Sequence, residues 1–107
     1  MKPHVLVENL NTKYGVDVRA KLVGRDTVTA WSGWMILPVE NYVEGSGFGP
    51  CPLREVEWLE VNPFVVEIIG RLVKPRIHNY EQQIRTALEA ATVQFEMLDL
   101  VFRVYMQ

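Results

Sequence analysis

The chain has little of what chemistry usually requires. It has one cysteine, Cys51, so no internal disulfide can form, and nothing demands an oxidising compartment. Flanked by Pro50 and Pro52 and without a CxxC partner, Cys51 reads as a small, partly buried thiol in a stiff loop. A nucleophilic role would need a nearby base, for which only His4 and His78 are available. Two histidines without HxxxH spacing give no metal motif, so no metal or cofactor is expected. No apolar run reaches the ~18 residues of a membrane span. Glu8 ends the first apolar stretch too early for a signal peptide, so the expectation is a cytoplasmic protein of bacterial or phage-like type with no membrane partner.

The chain has 107 residues, 49% of them hydrophobic and 22% charged, which describes one ordered domain over residues 1–107. The net charge of −2 offers no bulk attraction for phosphate backbones, so a nucleic acid partner is not expected.

Residues 16–23 alternate, with Val16, Val18, Ala20 and Leu22 on one side and Asp17, Arg19 and Lys21 on the other. That period of two predicts a strand with one wet face. Gly24-Arg25-Asp26 supplies a turn, and Val28–Trp31 should return as the second strand of an antiparallel hairpin. Residues 4–10 fit a short strand or a short helix. Gly45–Pro52, with three glycines and two prolines, reads as a loop. Its GxGxG string lacks the following helix that a phosphate cradle needs.

Residues 54–61 read as a strand, with Val56 and Trp58 on one side, Glu55 and Glu57 on the other, and a slip at Leu59. Asn62-Pro63 then resembles a helix start, and Val65, Ile68, Ile69, Leu72 and Val73 follow with helical spacing. The same residues suit a buried strand, but the start signal favours helix. Arg71, Lys74 and Arg76 would then be cations at a helix C-terminus. Asn79–Phe95 is the strongest helix, with an apolar stripe through Tyr80, Ile84, Leu88 and Ala91. Leu98, Leu100, Phe102 and Val104 form the inward row of a closing strand. The order predicts an α+β fold: an antiparallel sheet with one or two helices packed on one face and a final strand at the C-terminus.

The most usable functional signal is charge asymmetry. Between residues 40 and 60 stand Glu40, Glu44, Glu55, Glu57 and Glu60 against Arg54 alone, a net −4 on a chain of −2. Such a segment suits docking to a basic protein partner. Trp31 is the tryptophan expected to be exposed beside it, and Phe48 lies in the glycine-rich loop between the acids. The Trp31/Trp34 stretch ending at Pro38, and Glu55-Val56-Glu57-Trp58-Leu59-Glu60-Val61 followed by an apolar stripe, resemble segments of small bacterial immunity proteins that neutralise a cognate toxin. The resemblance implies a non-enzymatic inhibitor that masks the active site of a basic toxin domain. The alternative is a homo-oligomeric structural or phage assembly component. A small enzyme using a carboxylate or Cys51 ranks third.

Overall fold

A computed structural model describes residues 1–106. The first element is a helix, α1 (Pro3–Tyr14). Pro3 suits the first helical turn, where its missing N–H costs nothing. Gly15 closes the helix at φ 71°, its N–H donating to the Asn11 carbonyl at 2.9 Å. The buried side chains His4, Val7 and Asn11, with Leu6 and Leu10 beside them, recur every three or four residues. That spacing decides the choice left open for residues 4–10.

The main sheet has β1 (Val18–Leu22), β5 (Val56–Val61), β9 (Val101–Tyr105) and β8 (Phe95–Leu98), in that spatial order and all antiparallel. Val18, Ala20, Leu59, Val61, Phe102 and Val104 are buried on its inner face. The helix α2 (Glu81–Ala90) adds Ile84 and Leu88 to the same core, as α1 adds Val7 and Leu10. The architecture is α+β with a closing C-terminal strand, as the element order implied.

The return strand after the turn at Gly24 is weaker than a regular hairpin. Residues 28–32 run back along β1 through Thr29 N to Ala20 O (2.9 Å) and a reciprocal pair between Val18 and Ser32 (3.0 and 2.7 Å). The Thr29 hydroxyl takes the Ala20 N–H that a backbone carbonyl would otherwise accept.

Five expectations are corrected. The glycine-rich segment is largely strand: β2 (Met35–Ile36), β3 (Tyr42–Gly45) and β4 (Phe48–Pro52) form a second antiparallel sheet. Ser46-Gly47 alone makes the reversal, and β4 is an edge, where Pro50 and Pro52 cost little pairing. The glycines serve close packing: a Cβ on Gly45 would meet the Ser32 hydroxyl at 2.6 Å, and one on Gly47 would collide with the Ala30 carbonyl. Second, residues 64–79 form no helix. They make a two-stranded arm, β6 (Phe64–Glu67) and β7 (Arg76–Asn79), joined by residues 68–75. Asn62 does cap locally, its Oδ1 accepting from Phe64 N at 3.0 Å, but the turn opens a strand.

Third, α2 stops at Ala90, and Phe95 belongs to β8, tilted against Phe102 at 6.0 Å. Fourth, Leu98 and Leu100 leave the inward row and are exposed. Asp99-Leu100, at φ 53° and 66°, is the two-residue turn between β8 and β9, so the inward row begins at Phe102. The slip at Leu59 has its cause two residues earlier. Leu22 pairs with Val56 but Lys21 with Trp58, so Glu57 is the extra residue of a bulge. Val56 and Trp58 therefore lie on opposite faces, and Arg54 and Glu55 belong to a 3-10 turn (Leu53–Glu55) before the strand. Among the described residues no helix is long and apolar enough to cross a membrane.

One buried group links the fold to pH. The His4 imidazole is buried, and its Nδ1 has no hydrogen-bond partner among the described residues. Burial first, and then the Lys2 charge, hold its pKa below the ordinary histidine value. The unfolded chain therefore takes up a proton near pH ~6.5 while the folded chain does not. Stability is full above that pH and falls as the pH drops through it. The urea midpoint should decline between about pH 7.5 and 5.5, and His4→Gln should flatten that decline. An unchanged pH dependence in His4→Gln would remove His4 as its source.

Candidate protein-binding face

The seven residues singled out in the sequence separate into two groups. Glu60 is only 5% exposed and belongs to the main sheet's outer face. It accepts from Arg19 Nε at 2.8 Å and from Trp58 Nε1 at 2.8 Å, with Arg103 Nε at 3.4 Å. The strand register makes this a row: Arg19, Glu60, Arg103 and Glu96 stand opposite one another across all four strands, with alternating sign. Glu57 is likewise held, by Lys21 Nζ at 2.6 Å. Trp31 is half-buried beneath the Arg19 guanidinium, 4.2 Å from its ring centroid, rather than exposed. Phe48 is a core residue. Two of the five acids, Glu57 and Glu60, are thus neutralised by the protein's own cations, a pairing set by strand register and absent from any local pattern.

The other three, Glu40, Glu44 and Glu55, have no ion-pair partner among the described residues. Glu55 lies apart, beside Arg25 and Cys51 in an open depression. Burial first, and then the Glu55 charge, push the Cys51 thiol pKa up, the reverse of what a nucleophile needs. Glu44 belongs to the small sheet and Glu40 to the connection before it, and Glu44 has apolar company there.

That company is the residue sequence reasoning overlooked. Met35 is buried in β2, so its neighbours Trp34 and Ile36 must point outward; they are 46% and 45% exposed. Ile36 stands directly across from Glu44 on β3, and Val39 and Glu40 lie on the connection between the two strands. Val39 is also exposed. One face of the small sheet therefore holds Trp34, Ile36 and Glu44, while Val39 and Glu40, on the connection, line a depression with Lys2, His4, Val5 and Leu37. The available signal was the Trp34-Met35-Ile36 alternation, hidden within a run that is apolar throughout.

Asn11 fixes this face to the body. Its buried amide donates from Nδ2 to Val16 O (2.8 Å) and Gly33 O (3.1 Å), and its Oδ1 accepts from Met35 N (3.1 Å). One side chain of α1 thus ties down both the stretch before β1 and the segment that carries Trp34. A second set of contacts locks the turn: Gly33 N donates to Ser46 Oγ at 3.0 Å, and Gly47 N to Ser32 Oγ at 2.6 Å.

The fold defines a small α+β protein whose second sheet presents an aromatic and acidic face. The chain belongs to a family of unknown function, DUF6678, whose profile matches residues 5–106. Neither the curated proteins nor the solved structures contain a match.

Proposed function

We propose that this chain is a non-enzymatic protein-binding module acting through the face of Trp34, Ile36 and Glu44, with Val39 and Glu40 on the adjoining connection. The observation that carries this reading is an exposed tryptophan beside an exposed isoleucine and a free carboxylate, on a sheet tied to α1 through Asn11. Tryptophan is the side chain richest in interface hot spots, and surrounding charge selects the partner's sign. In its finer form the partner is a basic toxin domain, and the chain is a cytoplasmic immunity-type inhibitor. Glu40 and Glu44 would meet the toxin's cations.

Capture by the tagged chain from lysate of the source cells, with mass-spectrometric identification, tests the module. Trp34→Ala should lower the affinity for the captured protein by about 30-fold, the cost of a lost hot spot of ~2 kcal/mol. Glu40→Lys with Glu44→Lys should weaken it further and reduce its salt dependence. Undiminished affinity in both variants would sink this face. The inhibitor form requires that co-expression relieve the growth defect caused by the captured protein.

A second reading, self-assembly, rests on the same exposed apolar side chains, Trp34 and Ile36, which a second copy could also cover. Light scattering across concentrations separates the two.

A further inference from the structure

The arm formed by β6 and β7 is independent of that face and poses its own question. Its strands pair with each other and with no other strand. Its base is anchored: Val65 packs on the core, and Tyr80 stacks against His78 at 5.9 Å and Tyr14 at 4.7 Å. Its tip is not. Leu72 is 100% exposed and Ile68 73%, with Ile69 and Val73 about half exposed. An isolated two-stranded hairpin is marginal in water, and exposed apolar clusters of this kind mark contact sites.

Two features indicate what covers the tip. Ile68, Ile69, Leu72 and Val73 lie in the irregular link between β6 and β7, and all four are exposed. The acyl boundary of a bilayer can receive such a cluster without a shaped pocket. Cations are also interleaved with these apolar residues. Arg71 precedes Leu72, Lys74 follows Val73, and Arg76 lies just beyond, with no carboxylate between Ile68 and Arg76. Inside a protein interface each of these charges would need a buried partner. At the headgroup level of a bilayer, apolar side chains enter the acyl boundary while long basic side chains reach lipid phosphates.

We propose that the tip of the β6–β7 arm inserts into an anionic lipid surface, through Ile68, Ile69, Leu72 and Val73, with Arg71 and Lys74 binding the phosphates. The chain as a whole is acidic, at −2, whereas the arm presents three cations and no carboxylate between Ile68 and Arg76. The acidic body stays outside it.

The test is co-sedimentation of the full chain with vesicles of phosphatidylglycerol and phosphatidylcholine, compared with phosphatidylcholine alone. Binding is expected only with the anionic lipid. Arg71→Gln with Lys74→Gln should weaken it about 30-fold, at the usual contribution of a basic residue near such a surface. Leu72→Ser with Ile68→Ser should weaken it on the order of 100-fold, through lost apolar burial. All four side chains are solvent-exposed, so these variants should fold. Ile69→Trp should show blue-shifted emission on adding anionic vesicles. Equal binding to both vesicle types, or none to either, overturns the proposal. So does a lipid-free dimer that Leu72→Ser converts to monomer, because a second copy would then cover the tip.

Discussion

Replacing Asn11 by alanine should lower the unfolding free energy by about 3 kcal/mol, in the upper range for single substitutions. The side chain makes three hydrogen bonds to backbone groups, two of them buried and the third partly so. Each bond contributes roughly 1 kcal/mol net, and buried groups left unpaired add a desolvation cost. Asn11→Asp separates the roles, because a carboxylate still accepts from Met35 N but can no longer donate to the Val16 and Gly33 carbonyls. It should cost at least as much as alanine, since it also brings a charge into a buried site. Urea denaturation gives the magnitudes. Trp34 fluorescence in the native state gives the local consequence: with Gly33 and Met35 released, emission should shift before global unfolding. If Asn11→Ala cost less than about 1 kcal/mol, the amide would not be the tie between α1 and the small sheet.

The second large effect is expected at Glu60. Glu60→Leu should destabilise by about 2 kcal/mol, although it places an apolar side chain at a buried position. Glu60 takes the Trp58 indole N–H and sits between Arg19 and Arg103. Its loss leaves two guanidiniums facing each other across the central strand without an intervening anion. Loss of one partner from a fully buried ion pair costs about 3–5 kcal/mol, and the lower value here reflects the partial exposure of both arginines, 28% and 26%. Glu57→Leu is the control. Its pair with Lys21 is exposed on the glutamate side, and the change should stay within about 1 kcal/mol. Equal costs for the two variants would show that the charge row is no more than surface pairing.

Much of the main sheet was legible. The alternation in residues 16–22 follows directly from pleating, and Val16, Val18 and Ala20 are buried as it requires. The α2 stripe through Ile84 and Leu88 was equally plain. Residues 64–79 were not. Asn62-Pro63 forms the same side-chain turn before a strand as before a helix, and Ile68, Ile69, Leu72 and Val73 fit helical spacing by coincidence. An apolar run says that its residues avoid water; it does not say whether the protein's own core or something outside covers them.

The candidate site divides the same way. Glu40 and Glu44 were found from charge alone, and Trp34 was missed because exposure within an apolar run has no local mark. Glu57 and Glu60 were counted as free because their partners, Lys21 and Arg19, lie 36 and 41 residues away in sequence.

From the sequence alone, the α+β class, the closing strand, the existence of a late helix with its Ile84 and Leu88 stripe, and the concentration of acid between residues 40 and 60 could be determined. Those properties depend on side-chain periodicity and on summed charge, which are local or additive. Tertiary structure decided which acids remain free, which tryptophan faces out, and that the most apolar segment is an exposed arm. Each of these depends on strand register and on packing between distant segments. Register moves a side chain from core to surface with a one-residue shift, and no local pattern records it.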